Sequence, residues 1–329
     1  MRAYLLRRLL ATLPTLIGIS IVSFLILNVI PADPILTWSV GGRLPSAEAL
    51  QHLRAELGSE RGPIARFAEW SLAMLRGDLG RSLRDGRPVT AVIGEALPWS
   101  LLLNLSALLR IYGLAVPYGM LGSTAPGSAA DRLGSSLLLA LYALPSFAAA
   151  LLLQQLFAVR FDLLPLHGAS TLVAGDPALA RTVDLARHLV LPTICLALSG
   201  WAFVARYSRA AFRSVLGREF LAVARAKGLS PLRAAWHVAT NAAIPLATLL
   251  GAVIPGLVGG SIIVEQVFSW PGIGRLYLSA VEARDYPVVL GLTLLSGVAV
   301  LAGQLLVDFL YLIVDPRMRQ RLTGSPADA

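Results

Sequence analysis

The chain has 329 residues, 56% of them hydrophobic and only 14% charged, with a formal net charge of +9. Soluble domains carry about 25% charged residues, so this composition excludes an ordinary water-soluble globule and calls for lipid. The single cysteine, Cys195, lies in the apolar run LPTICLALSG, where a buried structural thiol is expected and an intrachain disulfide is excluded.

A helix needs about 20 apolar residues to cross about 30 Å of hydrocarbon. Six runs qualify, at about 9–30, 98–121, 134–158, 189–210, 243–267 and 287–313. They predict an all-α, polytopic membrane protein with six transmembrane helices. The first run follows Arg2, Arg7 and Arg8 as a signal sequence would. Its apolar stretch is too long for a signal core and no clean small-x-small site follows, so residues 1–30 read as an N-terminal anchor helix.

Residues 31–97 form an extramembrane segment too long for a simple hairpin and too short for a robust separate domain. Leu50, Leu53 and Leu57 share one helical face after a plausible N-cap at Ser46. Ile64, Phe67, Trp70 and Leu75 repeat the pattern over 63–75. Two short amphipathic helices are expected, lying on the bilayer or across the ends of the spans.

Residues 98–313 then read as a five-helix core. The second run carries Asn104, Arg110 and Tyr112. A charge inside a span is costly and defaults to a functional hypothesis. Arg110 either faces a water-filled path, where it attracts a substrate carboxylate, or pairs with Glu265 or Asp308 as a structural tie. Gln154 and Gln155 suit bonds between helices.

The loop 214–245 holds two helical patterns that meet at Gly228-Leu229-Ser230-Pro231. Gly228 suits a left-handed helix end, and Ser230 with Pro231 suits the cap and first residue of the next helix. Ala222, Ala224 and Ala226 keep the first helix slim, among the charges of Arg225, Lys227 and Arg233. Such a loop either fits a groove on another protein or rests on lipid headgroups.

Between the last two runs, Trp270-Pro271-Gly272 marks a turn, and Trp270, Tyr277 and Tyr286 suit a membrane interface. Ile273, Leu276, Tyr277 and Ala280 predict a short helix near the external mouth. Residues 314–329 are a polar tail.

The Lys/Arg distribution orients the chain. With the N-terminus inside, the inner segments, counting Arg206 and Arg209 at the inner end of the fourth run, hold fourteen cations against four acids, whereas the outer segments balance. Both termini are expected in the cytoplasm, and this topology explains the basic charge without nucleic acid. His52, His167, His188 and His237 lack metal-ligand spacing, so no metal site is expected. No serine has a positioned base, and no P-loop occurs: the only lysine, Lys227, precedes glycine rather than Ser or Thr.

Several stretches carry a resemblance: GDLGRSL at 77–83, LPLHG at 164–168, VFSWPGIGRL at 267–276, and ARDYPVVLGL through LVDFLY to DPRMR at 283–319. With the loop from Glu219 to Ser230 and with Ile244-Pro245, they run in order along nearly the whole chain. The chain resembles the membrane-spanning permeases of bacterial ABC importers, in the dipeptide/oligopeptide/nickel family. The resemblance implies a type I importer-like permease in the cytoplasmic (inner) membrane and no catalytic residues. Its partners would be two ATPase subunits binding ATP and Mg, a second homologous permease and an extracytoplasmic binding protein.

It also implies an ATPase-coupling loop containing Glu219, Ala222, Ala224, Ala226, Lys227, Gly228, Ser230 and Pro231. Asn104, Arg110 and Tyr112 are substrate-path candidates, and Trp270, Pro271 and Gly272 are external gate or docking candidates. The general Glu-Ala-Ala start of the coupling motif reads Ala222-Val223-Ala224 here. Small peptides are the expected cargo, with nickel chelates, opines or oligosaccharides as alternatives. A secondary transporter would show inverted repeats and broken spans, and an intramembrane enzyme would show paired catalytic groups.

Overall fold

The computed structural model describes residues 14–25, 62–216 without Ala174, 261–314, and isolated positions between Gly228 and Leu250. Among them the regular elements are all helical: α1 (Pro14–Leu25), α2 (Pro63–Leu75), α3 (Val89–Thr124), α4 (Ala129–Ala143) and α5 (Ser146–Leu153) come first. α5 continues as a π-helical turn over Gln154–Arg160. Then follow α6 (Ala178–Leu216), α7 (Ile262–Val267), α8 (Ile273–Glu282) and α9 (Tyr286–Val314). The expected helix at 45–57 lies outside the described residues.

Two described helices are long and apolar enough to cross a membrane alone, Val89–Thr124 and the Tyr286–Leu306 part of α9. Four do so if each of two bent pairs counts as one span. The expected span at 134–158 falls on one of these pairs, broken between α4 and α5 by a 99° bend. Pro145 is the cause: the residue before a proline is pushed out of helical backbone, and Leu144 is extended, at φ −75° and ψ 118°. Ser128 opens α4 by accepting a hydrogen bond from the Asp131 N–H at 3.2 Å. The expected span at 189–210 lies within α6, which bends by 49° between Ala178–Leu198 and Gly200–Leu216.

α3 and α6 form the central pair, and small residues let their backbones approach. Ala115, Ala202 and Ala205 are fully buried between them. A methyl group on Gly119 would fall 2.5 Å from Ser208 Oγ, and one on Gly200 would fall 2.5 Å from Ile111 Cδ1. Lipid tails are as apolar as leucine, so close van der Waals contact of this kind, rather than hydrophobic exclusion, holds helices together in a bilayer.

α8 supplies a second cluster. Its Ile273 and Ala280 are buried with Val89, Ile93 and Ala96 of α3 and Val288, Val289 and Leu292 of α9, and Leu276 and Tyr277 pack alongside. The expected apolar side of this short helix is therefore the one it buries. In α2 the expected face divides. Phe67 and Trp70 stack with Phe24 of α1, at centroid distances of 5.3 and 6.0 Å, while Ile64 and Leu75 remain 84% and 79% exposed.

Candidate functional site

The stretch VEQVFSWPGIGRL is organised around one side chain, Glu265, which is fully buried. Ser100 Oγ of α3 donates to its Oε1 at 2.8 Å, and the Ser261 N–H does so at 3.3 Å. The Arg275 N–H donates to Oε2 at 3.1 Å. Ser100 Oγ in turn accepts from the Ile273 N–H at 2.7 Å. Glu265 and Ser100 thus satisfy the first N–H groups of α8, which its N-cap residue, Gly272, has no side chain to reach. Oxygen acceptors are favoured at this positive end of a helix dipole. A buried carboxyl is tolerated because it is so fully hydrogen-bonded.

Gly272 is needed for want of space, since its backbone, at φ −98° and ψ −176°, suits any residue. A methyl there would fall 2.5 Å from Glu265 Oε2 and collide with Ser100 Oγ. Gly272→Ala is expected to destabilise the protein by about 1–3 kcal/mol, the usual cost of overpacking. Thermal unfolding of the purified protein checks this.

Trp270 is fully buried against protein. Its indole meets Trp99 edge-on, with centroids 5.7 Å apart, and Nε1 donates to the Trp99 carbonyl at 2.9 Å. That bond explains how a buried indole N–H is tolerated. Pro271 beside it is exposed.

Stretches distant in sequence converge on this turn. The Gly168 N–H of LPLHG donates to the Phe268 carbonyl at 2.8 Å. Gln154 Nε2 donates to the carbonyls of Leu166 and Val267, at 2.9 and 3.2 Å. Asp285 of ARDYP, buried, accepts from Ser82 Oγ and from the N–H groups of Leu83 and Arg84, the latter two at 3.0 and 3.4 Å. It thereby ties α9 to the loop of GDLGRSL, where Gly80 takes the left-handed φ of +83°. Beside LPLHG, Asp184 accepts from Ser170 Oγ at 2.7 Å and from the Thr171 hydroxyl and N–H at 2.8 Å. The Ser170 hydroxyl, with Thr171, holds the Asp184 carboxyl well below the usual carboxylate range.

Ser100, Gln154, Glu265 and Asp285 are supports that the sequence alone does not single out as site residues. The available signal is a carboxyl in a nearly apolar stretch beside a Gly-containing turn.

The three substrate-path candidates share α3 and do not converge. Asn104 Nδ2 donates to the Ser100 carbonyl at 2.9 Å, and half-buried Tyr112 packs near Ala115 and Ala202. Arg110 is exposed and donates to the Ser106 carbonyl of its own helix at 3.0 Å. The expected tie to Glu265 is absent, because that carboxyl is committed to Ser100 and the start of α8. The Asp308 side chain lies outside the described residues. Of the coupling loop, Glu219, Ala222, Ala224, Ala226, Lys227 and Pro231 also lie outside them. Gly228 is exposed with φ +76°, and Ser230 is exposed.

The match to known proteins covers the chain end to end. Residues 115–320 match the family described as binding-protein-dependent transport system inner membrane component, and residues 1–104 match the N-terminal family of such membrane components. The chain is 35% identical over 320 residues to the oligopeptide transport system permease protein AppB of Bacillus subtilis, covering 97% of this chain and 99% of that one. It is 33% identical over 339 residues to the dipeptide transport system permease protein DppB of Escherichia coli, covering 98% and 100%. It is 34% identical over 321 residues to the glutathione transport system permease protein GsiC of Pectobacterium atrosepticum, covering 97% and 99%. The chain belongs to the family of binding-protein-dependent transport system inner membrane components, as a permease subunit and not an enzyme.

Proposed function

We propose that the protein is the permease of an ATP-driven importer of small peptides. The observation that carries this reading is end-to-end similarity to three permeases named for oligopeptide, dipeptide and glutathione transport. In this reading the chain crosses the membrane six times with both termini in the cytoplasm, as its Lys/Arg bias supports. A second, homologous permease completes the path, and an extracytoplasmic binding protein delivers the cargo.

Two partner ATPases bind ATP and Mg and receive the loop 214–245, since this chain has no P-loop of its own. The left-handed Gly228 supports a turn between two short helices there. Nucleotide-driven closure is passed through that turn to the helices on either side of it. On the opposite face, the α7–α8 turn with Trp270, Pro271 and Gly272 serves as the external gate or docking element. Its hydrogen bonds to α3 couple it to the central helix pair.

The test is uptake of labelled di- and tripeptides by vesicles holding the complete complex, with and without ATP and binding protein. Uptake that needs both supports the reading. A complex that retains no peptide but transports another solute overturns the substrate. Exposed Arg110 is assigned to the path as an attractor of the peptide carboxylate. Arg110→Leu is expected to leave folding intact and to lower peptide uptake about tenfold, the worth of one charge-assisted contact. Full uptake by that variant removes Arg110 from the path.

A further inference from the structure

The C-terminal half of α6 presents Arg206, Arg209 and Arg213 at spacings of three and four residues, which place them on one helical face. With Ser135, Ser136 and Leu139 of α4 they line an open cleft of about 520 Å³. Among the described residues, the one acidic side chain within ion-pair reach of these arginines is Asp131. It is buried, bonded by Arg209 Nη2 and by the Gly127 N–H at 2.8 Å, and lies 3.9 Å from Arg213 Nη2. Three guanidinium groups against one carboxyl leave the cleft two positive charges in excess.

The three arginines are not equivalent. Arg209 is fixed from two sides, by Asp131 and by Ser135 Oγ, to which its Nη1 donates at 2.7 Å. Its Nε and the Asp131 Oδ1 are both buried without a hydrogen-bond partner among the described residues. Arg206 is exposed and has no ion pair among the described residues, and Arg213 has only the long contact to Asp131. Their fork geometry suits a tetrahedral oxyanion, and Ser136 adds a hydroxyl. Apolar surface adjoins the charge: Leu139 lines the cleft and is 57% exposed, and Phe203, one turn before Arg206, is 52% exposed.

We infer that this cleft binds a phosphate-bearing anion between α4 and α6, with Arg206 and Arg213 as its principal ligands and Arg209 as the fixed base. The adjoining Leu139 and Phe203 favour a phosphate that carries acyl chains, as in an anionic phospholipid headgroup; a free phosphate ion offers the same oxygens. Basic pockets between spans are a recognised way of holding anionic lipid. The inference needs only residence in a membrane and is independent of the transported solute.

The test uses the complete transporter in nanodiscs of phosphatidylcholine, with or without phosphatidylglycerol. Retained phosphatidylglycerol is counted by native mass spectrometry, and the melting temperature is followed with added inorganic phosphate. The double variant Arg206→Gln/Arg213→Gln leaves the Arg209–Asp131 pair intact. Arg132→Gln, exposed on α4 but outside the cleft lining, makes a control for charge alone. The double variant is expected to retain about tenfold less phosphatidylglycerol, while the control retains the wild-type amount. A phosphate-induced rise in melting temperature that only the double variant loses, without a lipid effect, assigns the site to the free ion. Equal lipid retention and equal phosphate response in wild type and double variant overturn the proposal, as does an equal loss in the Arg132→Gln control.

Discussion

Glu265→Leu is expected to unfold the junction between α7 and α8 and to remove transport with it. The replacement is similar in size but accepts no hydrogen bond. Ser100 Oγ and the N–H groups of Ser261 and Arg275 then face one another in a dry interior. Each buried donor left without an acceptor costs about 1–3 kcal/mol, so a loss on the order of 4 kcal/mol is expected. That is a large share of the stability of a typical domain, about 5–15 kcal/mol.

The damage would spread along identifiable contacts. α8 buries Ile273 and Ala280 against α3 and α9, and without its cap the helix start no longer meets Ser100. Glu265→Gln keeps one carbonyl acceptor and nearly the same shape, so it should retain most of the stability. Thermal melting of the wild type and both variants decides the matter. If Glu265→Leu melts like the wild type, the carboxyl is dispensable.

Gly228→Glu should do the opposite, sparing the fold and abolishing uptake. Gly228 is exposed at φ +76°, and among the described residues nothing lies within 4 Å of where a side chain would begin. The substitution therefore meets no clash with the described residues. It costs about 1–2 kcal/mol of left-handed backbone strain and places a negative charge among Arg225, Lys227 and Arg233. The turn proposed to seat the loop on an ATPase is then altered, while the membrane helices keep their packing.

The expected signature is protein in the membrane at wild-type level, continued ATP hydrolysis and no peptide uptake. Gly228→Asn tests the backbone separately, because asparagine tolerates the left-handed region, and it should retain most uptake. Wild-type uptake by Gly228→Glu would overturn the coupling role.

Much of this fold is legible in the order of its residues. The helix over 63–75 appears as α2, and the short helix of Ile273, Leu276, Tyr277 and Ala280 appears as α8, with that side buried. Both follow from apolar periodicity, a local property. The bend at Pro145 is legible in principle, because proline disfavours helical backbone in the residue before it. The continuous apolar run on either side conceals it. Trp270 shows the limit of composition: the sequence does not say what covers the indole, and in the fold Trp99 supplies one carbonyl and one ring face.

By itself, the amino-acid sequence determined membrane residence, helical class and family, because these rest on hydropathy summed over long runs and on motifs kept in order. It also identified the Trp270-Pro271-Gly272 turn. Only the tertiary structure decided what that turn rests on. Glu265 and Asp285 count in the sequence as single charges, one placed toward a span end and one balancing an outer arginine. In the folded chain they are buried acceptors, for Ser100 and the start of α8 in one case and for the Ser82–Arg84 backbone in the other. The physical reason is distance along the chain: the partner of Glu265 on α3 is 165 residues away and that of Asp285 is 203. No local pattern encodes which donor a buried carboxyl will meet, and that pairing is set when α3, α8 and α9 pack together.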